Sequence, residues 1–312
     1  MKAIILAWWF ATRLWPLTEK RAKPLLLLNN KEVISHIIEK IPEQILDQKT
    51  EIIISTNAVF KKDFEKYLQK NNFWNKKIRI FIEDSFWDEW KKWALWATSL
   101  LIQKEKINED LILIAWDNYF WFDFKDFEKE IEKNNFQNPI IASYDFWKEN
   151  IEKCKLFWVI VPDEKNKKNI VKKFQEKPIN PESSLISTWF YFFPKKFLKD
   201  IIFYSEKNHD NLWWIFEYFL TKNQEINIFS FKDLWFDIWS FKDLIEAHKI
   251  LHWWNYIWKN TKIENSKIKN CIIYENCEIK DCELKNCIID KNCKLENLEL
   301  FWKILRENSK IN

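Results

Sequence analysis

The chain has 312 residues, 47% of them hydrophobic, which is enough for one large domain and a smaller appendage but not for three domains. Its formal net charge of +4 arises from 50 basic and 46 acidic residues spread along the whole length, so no basic arm or stripe indicates a nucleic-acid partner. The apolar runs are too short to span a bilayer, and no basic segment leads into an apolar signal core. We therefore expect a cytoplasmic protein with no membrane partner.

Glycine is absent from this sequence, whereas tryptophan occurs 21 times. Proteins contain about 7% glycine on average. Glycine alone reaches positive φ angles and allows close backbone contacts at no steric cost, so a protein of this size is expected to need it. The tryptophans occupy positions at which such glycines are expected. Trp8 and Trp9, for example, come directly after an apolar strand. We therefore hypothesise that most of these tryptophans are glycine in the native protein, because UGA codons are read there as glycine. Treating all but Trp15 and Trp235 as glycine gives a glycine share close to the ordinary one. The alternative is a true aromatic-rich protein.

Strand and helix patterns alternate along the first part of the chain. Short apolar runs followed by segments of helical periodicity predict four pairs of a strand and a helix. This order predicts an α/β fold with a doubly wound, mostly parallel sheet of the Rossmann-like kind. The predicted pairs are 2–7 with 32–41, 51–55 with 59–69, 78–82 with 92–103, and 111–115 with 123–133.

The later part of the chain is richer in strands and ends in a repeat. From residue 257, isoleucine or leucine recurs every five or six residues, which predicts a coil of parallel strands resembling a short left-handed β-helix. Five cysteines in the repeat are interpreted as small inward side chains, because zinc sites prefer ligands two to four residues apart followed by a longer gap. The predicted strands are 139–143, 156–161 and 185–193, and the predicted helices are 194–204, 213–221 and 241–251.

The segment after the first strand carries the strongest functional signal. It reads Trp8-Trp9-Phe-Ala-Thr-Arg13-Leu, then Pro-Leu-Thr and Lys23-Pro. A glycine pair at 8 and 9 would let backbone N–H groups approach a triphosphate, and Arg13 and Lys23 would add fixed positive charge. With those glycines, the segment closely resembles the signature loop of the sugar-1-phosphate nucleotidyltransferases.

This resemblance implies roles for the residues of the loop. Arg13 would stabilise the departing pyrophosphate and Lys23 the α-phosphate region, so both are candidate catalytic residues. The segment 92–96 resembles the Leu-Gly-Ala-x-Gly loop of the family, although Lys92 departs from that pattern and leaves the base uncertain. The residues implied in nucleotide binding are Leu6, Ala7, Trp8, Trp9, Thr12, Trp93 and Ala94.

Two acidic motifs point to a metal ion. Asp117 follows the apolar strand 111–115, at the sheet edge where α/β proteins bind ligands, and Trp116-Asp117-Asn118 resembles the family's Gly-Asp-Asn motif. The segment from Trp235 to Ser240, with Asp237 at its third position, resembles Trp-Phe-Asp-Ile-Gly-Ser, which makes Trp235 a true tryptophan. Two carboxylates and phosphate oxygens suit Mg²⁺, which would orient the α-phosphorus for in-line attack.

The acceptor side of the predicted site resembles the family's sugar-phosphate pocket. In Gln-Glu176-Lys177-Pro, Glu176 would accept hydrogen bonds from sugar hydroxyls and Lys177 would hold the sugar phosphate. The segments around Trp158 and around Thr188-Trp189 resemble the Phe-Gly-Val and Ser-Thr-Gly strands of the pocket. The sugar phosphate is itself the nucleophile, and because it is already anionic at neutral pH it needs no general base.

The resemblance therefore implies a Mg²⁺-dependent enzyme that joins an NTP and a sugar 1-phosphate into an NDP-sugar and pyrophosphate. Glucose 1-phosphate with dTTP or UTP is the first expectation, and mannose 1-phosphate with GTP is the second. We also expect a homo-oligomer. The predicted organisation is a nucleotidyltransferase domain at 1–240, a linking helix at 241–256, the repeat at 257–300 and a tail at 301–312.

Other classes fit the sequence less well. A non-catalytic regulatory subunit of the same fold remains an alternative, although the metal-binding acids and the arginine–lysine pair are all present. A β-helix acyltransferase would need more coils and a catalytic histidine within them. A dinucleotide-binding oxidoreductase would need Gly-x-Gly-x-x-Gly after the first strand, where this chain has Trp8-Trp9-x-x-Thr-Arg.

The glycine hypothesis predicts the mass of the native protein. Protein purified from its own host should be lighter than the 38.6 kDa of the printed sequence, by one tryptophan-to-glycine difference at each recoded site. Intact mass spectrometry measures this directly. A native mass of 38.6 kDa would show that the tryptophans are real.

Overall fold

The computed structural model describes residues 1–7, 14–18, 21–73, 75–83, 94–163, 167–208, 212–252 and 255–312. The chain forms two compact units, each made of two separate stretches. The first comprises Met1–Trp8 with Ile37–Trp235, and the second comprises Trp9–His36 with Phe236–Asn312. The second unit therefore joins an N-terminal segment to the C-terminal part of the chain.

The observed helices agree with the predicted ones to within a few residues at most ends. Each begins where helical periodicity starts, and α4, for example, is capped by the Asp123 carboxylate, which accepts a hydrogen bond of 3.0 Å from the backbone N–H of Lys125. No helix among the described residues is both long enough and apolar enough to cross a membrane. The α-helices in the described ranges are α1 (Val33–Lys40), α2 (Lys61–Lys70), α3 (Ala94–Lys104), α4 (Phe124–Lys133), α5 (Leu198–Ser205), α6 (Trp214–Thr221) and α7 (Phe241–His252).

The strands up to residue 237 include all those predicted for this part of the chain, so the expectation of a mixed α/β fold is confirmed. Several short strands were not predicted, because two or three residues carry no periodic signal, and the longer strands Lys167–Glu176 and Asn227–Phe231 were missed as well. The strands are β1 (Lys2–Leu6), β2 (Leu27–Leu28), β3 (Lys31–Glu32), β4 (Gln44–Ile45), β5 (Gln48–Lys49), β6 (Glu51–Asn57), β7 (Lys77–Glu83), β8 (Leu111–Ala115), β9 (Asn118–Phe120), β10 (Ile140–Asp145), β11 (Trp158–Asp163), β12 (Lys167–Glu176), β13 (Leu185–Phe193), β14 (Asn227–Phe231) and β15 (Trp235–Asp237).

A nine-stranded sheet forms the centre of the first unit, in the order β10-β14-β12-β11-β13-β8-β1-β6-β7. At one side, β8, β1, β6 and β7 are parallel neighbours, and β1 pairs residue by residue with both β6 and β8. The side chains of Ile4, Ile5 and Ile53 are completely buried there, as expected for parallel strands covered on both faces. The carboxyl ends of β1 and β8 consequently lie side by side.

The other half of the sheet corrects the expectation of a mostly parallel arrangement. β13 runs antiparallel to β8, to β10 and to β11, and β12 runs antiparallel to β11 and β14. The physical reason is the length of the connections. Only three residues separate β11 from β12, whereas a parallel neighbour needs a crossover of a dozen or more. The sheet is therefore mixed.

Charged side chains stabilise the amino-terminal edge of the parallel strands. Glu51 at the start of β6 is paired with Lys2 of β1, and it accepts a hydrogen bond of 2.8 Å from Nε of Arg79 in β7. Burial alone would raise the pKa of Glu51, but the hydrogen bonds from Lys2 and Arg79 outweigh it and lower the pKa to about 2. The terminal ammonium group of Met1 also pairs with Glu109 at 2.6 Å. The pairs of Glu51 connect three neighbouring strands near their amino-terminal ends.

The C-terminal repeat of the second unit forms three parallel sheets, as its periodicity predicted. The sheets are β16-β19-β22-β25, β17-β20-β23-β26 and β18-β21-β24, and their strands pair sixteen residues apart, as Ile272 does with Ile288. We call this structure the solenoid. Its strands are β16 (Tyr256–Ile257), β17 (Lys262–Glu264), β18 (Lys267–Lys269), β19 (Ile272–Ile273), β20 (Glu278–Lys280), β21 (Glu283–Lys285), β22 (Ile288–Ile289), β23 (Lys294–Glu296), β24 (Glu299–Phe301), β25 (Ile304–Leu305) and β26 (Lys310–Ile311).

The interior of the solenoid contains the cysteines together with its isoleucines and leucines. Cys271, Cys277, Cys282, Cys287 and Cys293 are all buried in one apolar cluster, and all five are free thiols. This placement agrees with their interpretation as small inward side chains. No group of three or more potential metal-ligating side chains occurs within the described ranges.

Corners of the solenoid need backbone with positive φ, and asparagine supplies most of it. Asn276 has φ 60° and Asn292 has φ 58°, and the side-chain amide of the first donates to that of the second at 3.2 Å. Another column of corners contains Asn270 and Asn286, again sixteen residues apart, and the next member of that column is Trp302, with φ 54°. Tryptophan is disfavoured in this conformation, whereas glycine and asparagine tolerate it.

Replacing Trp302 by glycine should stabilise the printed chain. Because the left-handed conformation costs a bulky residue about 1 kcal/mol or more, Trp302→Gly should raise the free energy of unfolding by about 1 kcal/mol in urea denaturation. Trp258→Gly is the matched control, because Trp258 lies in the same solenoid without a positive φ and contacts Tyr256. Equal effects of the two substitutions would contradict the prediction.

Candidate functional site

The end of β1 leads into the segment that carries the predicted nucleotide-binding loop. The N–H of Ala7 donates to the carbonyl of Ser55 at 2.8 Å, and the carbonyl of Ala7 accepts from the Thr56 hydroxyl at 3.1 Å. The carbonyl of Leu6 accepts from the N–H of Trp116 at 3.2 Å. Leu6 and Ala7 are both buried, so the backbone is fixed at the point where the loop begins.

Several predicted site residues lie outside the described residues. They are Trp8, Trp9, Thr12, Arg13 and Trp93. Ala94, also predicted to bind nucleotide, is described as the first residue of α3, where it is buried and its carbonyl accepts a hydrogen bond of 2.7 Å from Thr98.

Asp117 follows β8 at the carboxyl edge of the parallel strands and is 5% exposed. The Asn118 side-chain amide donates to Asp117 Oδ1 at 3.0 Å, and the indole N–H of Trp235 donates to Asn118 Oδ1 at 2.9 Å. The Trp235 ring is also stacked on Tyr144, with centroids 5.3 Å apart. The hydrogen-bonded series from Trp235 through Asn118 therefore orients the Asp117 carboxylate.

This arrangement bears on two sequence interpretations. The indole N–H of Trp235 makes a buried hydrogen bond that glycine could not make, which supports Trp235 as a true tryptophan. Sequence reasoning gave no role to Asn118 or Tyr144. Asn118 could have been found, because it is the last residue of the Gly-Asp-Asn-like motif, but nothing local marks Tyr144.

The chemistry of Asp117 fits a magnesium ion. Mg²⁺ is bound in proteins by one or two carboxylates together with waters and substrate phosphates. The single oriented carboxylate of Asp117 is therefore enough protein ligand for such an ion. A carboxylate this well buried is stabilised by positive charge, and a bound cation would supply such charge.

The hairpin of β11 and β12 brings together three of the residues predicted for the sugar phosphate. Trp158 opens β11 directly opposite Glu176, which ends β12. The N–H of Lys177 donates to the carbonyl of Phe157 at 3.0 Å, and the side chains of Glu176 and Lys177 are exposed. These two charged groups are therefore available to a ligand at the end of the hairpin.

Glu217 on α6 is a further carboxylate that sequence reasoning missed. The pKa of Glu217 is raised, because partial shielding from water and the nearby charge of Glu176 both favour its protonated form. Its position depends on how α6 packs against β12, so the local sequence gave no signal.

The two residues predicted in β13 differ in their surroundings. The Thr188 hydroxyl is buried and donates to the carbonyl of Ala142 at 2.8 Å, so it connects two strands. Trp189 has φ 57° within the strand, at the point where the register between β10 and β13 shifts. A left-handed residue in a bulge is usually glycine, so this geometry supports glycine at position 189.

The pair formed by Trp158 and Trp213 is also energetically unfavourable in the chain with the printed sequence. The rings of Trp158 and Trp213 are stacked with centroids 3.6 Å apart, and the buried indole N–H of Trp213 has no hydrogen-bond partner among the described residues. A buried donor left without a partner costs about 1–3 kcal/mol. Glycine at 213 would remove this cost.

Within the second unit, Lys23 and the second acidic motif lie together. Lys23 begins a short 3₁₀ helix, Lys23–Leu25, and is only 5% exposed. Its ammonium group donates a hydrogen bond of 3.2 Å to the carbonyl of Trp239, and Trp239 follows Asp237 by two positions in the sequence. Residues 216 positions apart in the sequence thus meet, and both belong to motifs that were predicted to serve the same reaction.

Comparisons with known proteins identify the family of this chain. The sequence profile of the family described as nucleotidyl transferase matches residues 2–252. The chain is 30% identical over 253 residues to the bifunctional protein GlmU of Methanocaldococcus jannaschii, covering 80% of this chain and 54% of that protein. It is also 30% identical over 277 residues to GlmU of Methanococcus aeolicus, covering 88% and 59%. The chain thus spans little more than half the length of these relatives.

A solved structure shows the same fold. It is that of a Bacillus anthracis protein named as a glucose-1-phosphate thymidylyltransferase, in complex with a sucrose, with a TM-score of 0.66 and 20% identity over 80% of this chain and 94% of that one. From the profile and the relatives, the chain belongs to the nucleotidyl transferase family. Together the comparisons support membership in the sugar-1-phosphate nucleotidyltransferases, the group that the N-terminal motif indicated.

Removing the indole N–H of Trp235 should destabilise the first unit. Trp235→Phe keeps an aromatic ring against Tyr144 but leaves Asn118 Oδ1 without its donor, so the free energy of unfolding should fall by about 1–3 kcal/mol. Both substitutions are made in the chain with the printed sequence, in which Trp121→Phe is the matched control, because Trp121 is 56% exposed and its effect should stay within about 0.5 kcal/mol. Chemical denaturation measures both, and indistinguishable values would contradict the role given to Trp235.

Proposed function

We propose that this protein is a Mg²⁺-dependent enzyme that makes an NDP-sugar and pyrophosphate from an NTP and a sugar 1-phosphate. The observation that carries the proposal is the oriented, buried carboxylate of Asp117 beside the end of β1, from which the signature loop departs. Family membership supports the reaction class. The doubly wound arrangement and the left-handed sense of the solenoid belong to the same proposal.

The reaction follows from the chemistry of the two substrates. A phosphate oxygen of the sugar phosphate attacks the α-phosphorus of the NTP, a new P–O bond forms in line, and the bond to pyrophosphate breaks. No proton has to be removed from the nucleophile, so no general base is required. The chain has to position two anions and to neutralise the charge that develops on them.

Individual residues contribute to these tasks in different ways. Lys23 supplies a fixed positive charge, and burial with a backbone partner restricts its ammonium group. Glu176 accepts hydrogen bonds from the sugar hydroxyls, and Lys177 binds the sugar phosphate. Bound Mg²⁺ would supply charge neutralisation on the phosphates, and Asp117 would hold it. The role of Asp237 as a second ligand remains the prediction made from its motif.

The substrates are proposed in the order in which the motifs favour them. Glucose 1-phosphate with dTTP or UTP comes first, and the name of the Bacillus anthracis protein supports this choice. Mannose 1-phosphate with GTP comes second. Residues 92 and 93 of the segment that resembles the family's base-contacting loop lie outside the described residues, so the choice of base rests on experiment.

A pyrophosphate-release assay tests the reaction. The chain with glycine at every tryptophan except Trp15 and Trp235 should release pyrophosphate with Mg²⁺ and at least one pair drawn from ATP, GTP, UTP or dTTP and several sugar 1-phosphates. The printed chain should be inactive, because Trp8 and Trp9 would fill the space of the nucleotide. Within the active protein, Asp117→Asn should lower kcat by about a hundredfold or more, because it removes a charged group that acts in the transition state.

Asp126→Asn is the matched control for Asp117→Asn, because Asp126 is an exposed carboxylate on α4 that pairs with Lys129, and its kcat should be unchanged. Release of no pyrophosphate with any substrate pair would favour a regulatory subunit. Full activity of Asp117→Asn would refute the role of that carboxylate.

A further inference from the structure

One face of the solenoid contacts the N-terminal segment of the second unit. Tyr274, Asp290 and Arg306 follow one another at intervals of sixteen residues, so they occupy equivalent places on successive coils. The Arg21 guanidinium lies 3.5 Å from Asp290 Oδ1 and 5.8 Å from the centre of the Tyr274 ring. The Arg306 guanidinium lies 5.0 Å from the centre of the Trp15 ring. We call these three solenoid residues the seat.

Asp290 has an unusual position among the charged residues of the solenoid. Its side chain is 6% exposed, whereas the pair formed by Glu278 and Lys294 at 2.7 Å is exposed and joins two coils of the solenoid to each other. The equivalent places on the neighbouring coils hold a tyrosine and an arginine, so the repeat itself does not require an acid there. Because a buried carboxylate is costly unless it is paired, the pairing with Arg21 accounts for Asp290.

A short hydrogen-bonded segment follows Arg21 and contains Lys23. The N–H of Leu25 donates to the carbonyl of Ala22 at 3.0 Å, and the N–H of Leu26 donates to the carbonyl of Lys23 at 3.0 Å. At the far end, a ring nitrogen of His248 lies 3.1 Å from the carbonyl of Leu27. The 3₁₀ turn that begins with Lys23 is therefore anchored on both sides.

We infer that Asp290 is a positioning residue for nucleotidyl transfer, which acts through Arg21 to fix the ammonium group of Lys23. The inference rests on the proposed function for the role of Lys23. It assigns to the solenoid a direct part in ordering the short helix Lys23–Leu25, in addition to its own stability. A loop charge that is misplaced by about 1 Å can lower a rate up to a hundredfold, so the effect should be measurable.

The test uses the full-length, glycine-containing protein of the pyrophosphate assay. Asp290→Asn keeps the shape of the side chain and an acceptor for the N–H of Lys291, 2.9 Å away, but removes the charge that pairs with Arg21. It should lower kcat by about tenfold or more, while KM for the sugar phosphate stays within about twofold. Asp290→Glu should restore part of kcat. Arg21→Gln should match Asp290→Asn, and the double variant should be no worse than either.

The control variant is Glu278→Gln, which breaks an exposed ion pair of the same solenoid and should leave kcat within about twofold. Hydrogen exchange supplies a readout that does not depend on activity. In Asp290→Asn the backbone N–H groups of Leu25 and Leu26 should exchange about tenfold faster, and in Glu278→Gln they should not.

The outcomes separate this inference from the proposed function. If the unsubstituted protein releases no pyrophosphate, the proposed function fails, and hydrogen exchange alone decides whether Asp290 fixes the turn. Unchanged exchange and unchanged kcat in a folded Asp290→Asn protein overturn the inference. If Asp290→Asn does not fold, Arg21→Gln, which leaves every solenoid residue in place, decides in the same way.

Discussion

The parallel pairing of β1 with β6 and β8 is the constraint on which the proposed site depends. Parallel strands end at a common edge, so the backbone at Ala7 and the carboxylate of Asp117 lie at that edge although 110 positions separate them. At the opposite edge, Glu51 of β6 pairs with Lys2 of β1 and with Arg79 of β7, which connects these three strands. Because both ends are fixed, the hydrogen bond from Asn118 orients Asp117 on a rigid frame, as electrostatic catalysis requires.

A second constraint is backbone conformation, and it bears on which tryptophan positions are glycine in the native protein. Most left-handed positions in the described part of the chain carry asparagine or aspartate, which tolerate positive φ. Trp147, Trp189 and Trp302 also have positive φ, which is unfavourable for a bulky residue. They lie in a loop, a strand bulge and a solenoid corner, so the need for a small residue at tryptophan positions recurs in three unrelated settings. This pattern agrees with glycine at those positions.

The solenoid combines a self-supporting structure with a role for one of its faces. Its interior is apolar, its corners are asparagine columns, and its exposed charges pair from coil to coil, as Lys280 does with Glu296 at 2.9 Å. Each coil is stabilised mainly by its neighbours, as in other repeat proteins. This leaves the outward side chains of the seat free to vary, and Asp290 is the position at which that freedom gives a contact with Arg21 of the N-terminal segment.

The sequence by itself determined seven strands of the central sheet, the helices, the apolar repeat of the C-terminal part and the motifs around Lys23 and Asp117, because periodicity and motif spacing are local properties of the chain. It was wrong about the mostly parallel sheet, since strand order depends on which distant segments bury the most apolar surface together. Only the tertiary structure decided that Trp235 orients Asn118, that Lys23 meets Trp239 and that Arg21 pairs with Asp290. Such contacts join residues far apart in the chain, so no local pattern encodes them, and packing alone selects them.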